Sequence, residues 1–215
     1  MAVGELHQHH PLPEWLTWGQ KLHSLAHEGL TFAQRPGDIE RYKQVMAIAA
    51  EIVTRHSELE FEAVLELFER ESGFVTPKVA TRAAVFDGGR IMLVRELRDD
   101  LWVLPGGYCD LNEPPSQAAA REVLEETGFA VRPLRLLAVY DRKRHPDTVR
   151  WTHFYTMFFD CESLGQVAAP KELETSAMGF FGLEELPPLN PNQTIEQLER
   201  IFDLHRDASL PPDFD

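Results

Sequence analysis

Three carboxylates close together on one short segment are the first indication of chemistry in this chain. Glu122, Glu125 and Glu126 lie in the run REVLEE. In a helix, Glu122 and Glu126 are one turn apart on one face, and Glu125 lies on the flank of that face. Like charges at this spacing repel by about 0.2–0.5 kcal/mol per pair, which a bound cation would offset. One interpretation is a Mg²⁺ site, because this ion prefers oxygen ligands. The alternative interpretation is an acidic helix face that is simply solvated.

Residues on both sides of this segment favour a binding site over a solvated face. The pair Gly106-Gly107 lets the backbone approach a ligand closely. Glu113 and Arg121 are spaced to meet at the helix entry, and Arg121 can also pair with Glu125 one turn later. Gly128 is expected to end the helix in a left-handed conformation.

Together these residues resemble the Nudix box, G-x5-E-x7-R-E-U-x-E-E-x-G-U, in which U is apolar. Every fixed position of the pattern is present: Gly107, Glu113, Arg121, Glu122, Val123, Glu125, Glu126, Gly128 and Phe129. The resemblance implies a pyrophosphohydrolase acting on a nucleoside diphosphate linked to some moiety X. It also implies an α/β/α sandwich with a mixed sheet.

We expect the acidic residues to hold Mg²⁺ or Mn²⁺, with two or more ions screening the diphosphate and activating water. The spacing assigns Glu122 and Glu126 as direct ligands, and Glu125 as a ligand directly or through water. The resemblance adds the carbonyl of Gly106. Arg121 would orient these carboxylates together with Glu113, rather than react.

The general base is predicted to be Glu174 or Glu125. Glu174 lies with Glu172 in the loop KELETS, shortly before a predicted strand. Our preference is Glu174 and the competitor is Glu125. A solvated loop carboxylate is an equally good interpretation of Glu174.

Contacts to the diphosphate are expected from basic side chains outside the box. The candidates are Arg82, Arg95, Arg142 and Lys143. Arg82 and Arg95 lie on predicted strands that could face a cleft, although each could instead be a surface ion-pairing residue.

The elements that must position these groups are predicted from hydrophobic periodicity. Three helices come first. The first runs from Glu14 to about His27 and is stopped by Gly29, and its apolar stripe consists of Trp15, Trp18, Leu22 and Leu25. The second runs from Ile39 to about Arg55 and is capped by Asp38, and the third begins with a capping box at Ser57 and Glu60 and ends near Gly73. Strands follow at 78–86, 90–95, 102–104, 134–140, 152–160 and 179–182, with a hairpin turn at Asp87-Gly88-Gly89. The box helix has Pro115 at its first position and buries Ala119, Ala120, Val123 and Leu124, and a last helix spans about 193–205.

The N-terminal stretch resembles the helical module of a Nudix subgroup that hydrolyses substrates such as ADP-ribose and CDP-choline. The residues that carry this resemblance are Gly29-Leu-Thr-Phe32, Asp38, Arg41-Tyr42 and Ile48-Ala-Ala-Glu51. We therefore predict a helical module over residues 1–74 and a Nudix hydrolase domain over 75–215. Three short helices bury little surface by themselves, so we expect the module to form a homodimer and to contribute substrate contacts.

Composition argues against several classes of protein. The 215 residues carry a formal net charge of -14 with a pI of about 5.0, which argues against a nucleic-acid-binding protein. Two cysteines far apart in sequence exclude a disulfide scaffold. No apolar run approaches the ~18 residues of a membrane span, and the first residues lack a signal pattern, so we expect a cytoplasmic protein. The histidines near the N-terminus are interpreted as part of a frayed tail rather than a metal site.

Two other functions remain open at this point. One is a nucleoside triphosphate house-cleaning pyrophosphatase with the same box, which would release pyrophosphate. The other is a ligand sensor without catalysis, although every acidic position of the box is present here. Box residues serve the phosphates, so they do not identify X or the base.

Overall fold

The computed structural model describes residues 13–70, 75–142, 152–171 and 174–215. These residues form two units, one built mainly from residues 13–77 and the other mainly from residues 78–215. The predictions for Lys143, Glu172, the N-terminal histidines and the end of a helix near Gly73 lie outside the described residues.

The first unit consists of three helices: α1 (Glu14–Phe32), α2 (Pro36–Arg55) and α3 (Phe61–Glu69). Each helix is amphipathic, and the apolar faces meet in one core. That core contains Ala26, Met46, Ala49, Ala50, Val53, Val64 and Phe68. Burial of each large side chain of this kind contributes about 1.5–3 kcal/mol.

The prediction that Gly29 stops the first helix was wrong, because α1 continues to Phe32. The reason is a contact between helices. A Cβ atom at Gly29 would lie only 2.3 Å from the ring of Tyr42 on α2. Gly29 therefore lets the two helices approach closely, and its effect on helix propensity is overridden by packing.

Three predicted helix starts and stripes also need correction. Helix α2 begins at Pro36 rather than after Asp38, since proline suits the first position of a helix. Helix α3 begins after Glu60 and has no capping box; Ser57 Oγ instead accepts a hydrogen bond from the Leu59 amide. The stripe predicted for α1 is not its buried face, because Leu16, Gly19, His23, Ala26 and His27 are the buried residues.

Helix α1 instead exposes an apolar stripe. Trp18, Leu25 and Phe32 are 54%, 61% and 62% exposed. They are seven residues apart, so they lie along one face of the helix.

The second unit contains a seven-stranded mixed sheet. Its strands are β1 (Lys78–Asp87), β2 (Arg90–Glu96), β3 (Trp102–Val103), β4 (Phe129–Asp141), β5 (Phe154–Gln166), β6 (Thr175–Phe181) and β7 (Asp213–Phe214). The main path runs β3-β2-β1-β5-β4-β7, and β6 pairs with β2. Strand β1 is parallel to β5 and antiparallel to β2. The predicted hairpin turn at Gly88 and Gly89 connects β1 to β2.

The mixed sheet and the α/β class confirm the predicted fold, while several boundaries differ. Strand β4 begins at Phe129 rather than Leu134, and β5 extends to Gln166. Strand β7 was not predicted, because Asp213-Phe214 has neither an apolar run nor an alternation that indicates a strand. The pairing of β7 with β4 is a tertiary contact, which the local sequence does not predict.

Two helices cover the opposite faces of this sheet: α4 (Pro115–Thr127) and α5 (Ile195–Arg206). Side chains alternate along β1, so Ala83 and Val85 pack in the core with α4, while Ala84 packs in the core with α5. The buried face of α4 consists of Ala118, Ala119, Val123 and Thr127. The prediction that Leu124 is buried was wrong, because this side chain is 39% exposed.

Helix α5 is fixed at both ends. Thr194 and Gln197 form a capping box at its start. At its end, His205 Nδ1 lies 2.9 Å from the buried carboxylate of Asp160, which also pairs with Arg135 at 3.5 Å. Among the described helices, none has the length and apolar character needed to cross a membrane.

Candidate active site

The glycine loop before α4 lies along β1. The Thr81 amide donates to the Gly107 carbonyl at 2.8 Å, and the Ala83 amide donates to the Pro105 carbonyl at 2.9 Å. Gly106 has a φ of +147°, and a Cβ atom there would lie 2.1 Å from the Thr81 carbonyl oxygen. Only glycine fits this close approach of two backbones.

Helix α4 follows this loop and presents the acidic residues. Pro115 occupies its first position, as predicted, and Gly128 ends it with a φ of +75°. Gly107 leaves space for the carboxylate of Glu122, since a Cβ atom at Gly107 would lie 2.5 Å from Glu122 Oε1. The helix and the glycine loop therefore converge at the acidic residues of the box.

Arg121 organises the entry of this site. Its Nε and Nη2 atoms donate to the two oxygens of Glu113 at 2.9 and 3.0 Å, in a bidentate pair. Its Nη1 atom lies 2.8 Å from Glu122 Oε1, and its Nη2 atom also donates to the Tyr108 carbonyl at 3.1 Å. The hydrogen bond from Arg121 lowers the pKa of Glu113 and helps raise the pKa of the guanidinium itself.

Glu126 is the most shielded carboxylate of the site. Its Oε2 atom accepts a hydrogen bond from the Gly106 amide at 3.0 Å. Burial raises the pKa of Glu126 to about 8, although Arg82 and the Gly106 amide favour the charged form. Burial also raises the pKa of Glu122, while Arg121 opposes that effect. Both carboxylates are therefore costly to ionise without an additional positive charge.

Glu125 lies in a different environment from its neighbours. Lys171 Nζ is 2.5 Å from Glu125 Oε1, and Arg121 Nη1 is 3.4 Å from Glu125 Oε2. The hydrogen bond from Lys171 is the main reason that the pKa of Glu125 is lowered. Nothing in the local sequence around Lys171 identifies this contact, because the two residues are 46 positions apart.

Glu174 immediately precedes β6, and its side chain is exposed. Its backbone carbonyl accepts a hydrogen bond from the Leu97 amide at 2.8 Å. The negative charge of Glu174 contributes to the raised pKa of both Glu122 and Glu126. The next residue, Thr175, donates its hydroxyl to the Glu126 carbonyl at 3.1 Å. The fold therefore attaches the beginning of β6 to the end of the acidic helix.

The three candidates for diphosphate contact that lie in the described residues occupy different surroundings. Arg82 Nη1 donates to the carbonyls of Leu104 and Gly106 at 2.8 and 2.7 Å. Arg95 donates to Ser176 Oγ at 3.0 Å and pairs with Asp100 at 3.3 Å. Arg142 is buried and bonds the side chain and carbonyl of Asn192. Arg82 is thus the one of the three that directly contacts the glycine loop.

The donor set of this site fits a hard divalent cation. It offers only oxygen atoms, from Glu122, Glu125, Glu126 and the backbone of Gly106, and such ligands suit Mg²⁺ and Mn²⁺. The cost of ionising Glu122 and Glu126 points the same way, since a cation would offset it. In the part of the chain that the structure describes, no three His, Cys, Asp or Glu side chains already converge as a metal site.

Comparisons with known proteins agree with this geometry. Residues 76–202 match the model of the NUDIX domain, and residues 13–68 match a UDP-X-like N-terminal oligomerisation domain. A Bacillus subtilis (strain 168) protein named "Putative ADP-ribose pyrophosphatase YjhB" is 37% identical over 203 residues, covering 94% of this chain and 97% of that protein.

Two solved structures are similar as well. One is a UDP-X diphosphatase with 30% identity and a TM-score of 0.60, covering 94% of this chain and 98% of that chain. Another is an ADP-ribose pyrophosphatase from Streptococcus suis 89-1591, with 38% identity and a TM-score of 0.59, covering 65% of this chain and 100% of that one.

The acidic helix, the glycine loop and the mixed sheet define an enzyme of the Nudix pyrophosphohydrolase class. The chain belongs to the Nudix family, and within it to the subgroup with a helical N-terminal module. The resemblance seen in the sequence is thereby confirmed.

Proposed function

We propose that the protein hydrolyses the diphosphate bond of a nucleoside diphosphate linked to X, in a metal-dependent reaction. The products are a nucleoside monophosphate and a phosphorylated X. One observation carries this proposal: the carboxylates of α4 lie beside the glycine loop, and Glu126 is largely shielded there and forms no ion pair among the described residues. Mg²⁺ or Mn²⁺ would supply the missing positive charge.

Glu122 and Glu126 hold the metal ions in this proposal, with Glu125 as a further ligand and Gly106 contributing its carbonyl. When bound, two or more such ions screen the diphosphate charge and lower the pKa of a water molecule. Arg121 fixes the direction of the Glu122 carboxylate and is itself held by the bidentate pair with Glu113.

Arg82 is the leading candidate for contact with the diphosphate. Its Nη1 atom is occupied by two carbonyls, whereas no described residue bonds its Nε or Nη2 atoms. These two atoms form the edge of a guanidinium that binds phosphate oxygens well. Arg95 ranks second because it pairs with Asp100 and Ser176, and Arg142 ranks third because it is buried against Asn192.

Glu174 remains our preferred general base, with Glu125 as the alternative. Glu125 has both carboxylate oxygens in contact with basic side chains, Lys171 and Arg121. A carboxylate engaged in this way is a weaker proton acceptor than an exposed one. The pH dependence of kcat in Glu174→Gln and Glu125→Gln separates them: the base variant loses the acidic limb and about 100-fold or more in kcat.

The relatives that match along most of the chain support the proposed substrate class. Their names point to ADP-ribose and UDP-linked substrates, and CDP-choline belongs to the same chemical type. The test is a screen of these compounds and of deoxynucleoside triphosphates with Mg²⁺ or Mn²⁺. Release of a nucleoside monophosphate together with a phosphorylated X from an X-linked substrate supports the proposal, whereas release of a nucleoside monophosphate together with pyrophosphate from triphosphates identifies a house-cleaning enzyme. No turnover, with retained ligand binding, identifies a sensor.

We also propose that two copies of the chain form a homodimer through the exposed stripe of α1, which consists of Trp18, Leu25 and Phe32. The match to an oligomerisation domain over residues 13–68 supports a second copy as the occupant of this face. Light scattering of Leu25→Glu should show a monomer where the wild type shows a dimer. The matched control is Leu164→Glu, because Leu164 is 58% exposed on a strand of the other unit.

A further inference from the structure

The loop before β6 is attached to the end of α4 through its backbone. The amides of Val167 and Ala168 donate to the Gly128 carbonyl at 2.9 and 3.1 Å, and the Lys171 amide donates to the Glu125 carbonyl at 2.8 Å. A Cβ atom at Gly128 would lie 2.0 Å from the Ala168 carbonyl oxygen. The position of Lys171 is therefore set by the fold and does not depend on its own side chain.

The side chain of Lys171 reaches the same residue that its backbone contacts. Its ammonium nitrogen is 2.5 Å from Glu125 Oε1, while Arg121 lies 3.4 Å from Glu125 Oε2. Both oxygens of Glu125 are thus occupied by basic groups of the chain itself. Glu126 differs, because its contact with the glycine loop is the Gly106 amide, and among the described residues it forms no ion pair.

We propose that Lys171 is an internal counter-ion that competes with the divalent cation for Glu125 and so weakens metal binding. This inference rests on the proposed metal site. A cation that binds Glu125 Oε1 must displace the ammonium group of Lys171, and one that binds Oε2 approaches the guanidinium of Arg121. In either case the two positive charges repel each other. Lys171 is accordingly a positioning residue that controls when Glu125 becomes available.

The size of the effect is limited by solvent. The side chain of Lys171 is 58% exposed and that of Glu125 is 32% exposed. Ion pairs with this exposure are weak, so we expect removal of the ammonium group to tighten metal binding by about twofold to fivefold. The change should be smaller at high salt, where exposed charges are screened.

The experiment is a titration of the full-length protein with Mn²⁺, without nucleotide, followed by the electron paramagnetic resonance signal of free Mn²⁺. Lys171→Met keeps an unbranched side chain, one atom shorter than lysine, and leaves the backbone amide in place but removes the charge. We expect a Kd about twofold to fivefold lower than in the wild type, and a Kd close to the wild type in Lys171→Arg. In the Glu125→Gln background, Lys171→Met should have no effect. Lys43→Met, an exposed lysine on α2, controls for the change in net charge.

Each outcome decides the matter. If the wild type binds no Mn²⁺, the proposed function and this inference both fail. If the wild type binds Mn²⁺ and Lys171→Met has an equal or higher Kd, the proposed function stands and the inference is overturned. A tighter Kd that persists without Glu125 also overturns it, because the ammonium group would then act on another ligand.

Discussion

Glu126→Gln tests whether a largely shielded carboxylate, rather than a solvated one, lies at the centre of this site. The glutamine has the same shape and still accepts the hydrogen bond from the Gly106 amide through its oxygen. It cannot ionise. In excess chelator, the variant should therefore be more stable than the wild type at high pH, although it binds metal less well.

The direction of this pH effect on stability follows from the pKa of Glu126. In the folded protein the pKa of Glu126 is about 8, whereas its ordinary value is 4.5. The folded state keeps the proton between these two pH values while the unfolded state has lost it. The contribution of this group to the free energy of unfolding is fully present below about 4.5 and is lost as the pH rises through 8.

The magnitude can be bounded. The difference between the two pKa values corresponds to at most about 5 kcal/mol, since one pKa unit is about 1.4 kcal/mol. Glu126 keeps part of its surface accessible, so water reduces this figure, and we expect about 2–3 kcal/mol. For a chain of this length that difference is a melting temperature about 4–12 °C higher for the variant at pH 9.

The assay is thermal and urea unfolding at pH 5, 7 and 9 with chelator present. Glu126→Gln and the wild type should agree at pH 5 and diverge at pH 9. The exposed Glu199→Gln is the matched control and should follow the wild type throughout. Parallel pH profiles for the wild type and Glu126→Gln would refute the reasoning. With Mn²⁺ at pH 8, only the wild type and the control should gain stability.

Three further predictions concern the residues that support the site. Gly106→Ala should destabilise the second unit by about 2–3 kcal/mol or more, because residue 106 has a positive φ and a Cβ atom there would collide with Thr81. In the control Gly37→Ala the new Cβ has no atom within 4 Å, so this variant should be neutral or slightly stabilising in the same urea unfolding measurement. Arg121→Lys should weaken Mn²⁺ binding by about tenfold, because lysine cannot form the bidentate pair with Glu113; an unchanged Kd in calorimetry would contradict this. Asp160→Asn should lower the free energy of unfolding by about 1–3 kcal/mol, since the buried negative charge and one of the two acceptor oxygens that face Arg135 and His205 are lost. Equal urea midpoints would count against that role.

Much of this protein could be predicted from its sequence because the relevant signals are local. The acidic spacing on α4, its proline start and its glycine end lie within 14 residues, so the helix and its direction follow from helix geometry. The hairpin between β1 and β2 is signalled by adjacent glycines, and both have positive φ. The family pattern is equally local, which is why the Nudix assignment did not depend on tertiary structure.

The tertiary structure decided which partners these residues have. Lys171 reaches Glu125 across 46 positions, and Arg82 reaches Gly106 across 24. In the sequence Gly29 predicts the end of a helix, whereas in the structure it allows the close approach of Tyr42. The physical reason is the same in each case. Periodicity and caps depend on interactions between residues that are close in the chain, whereas burial and charge pairing depend on elements that folding brings together.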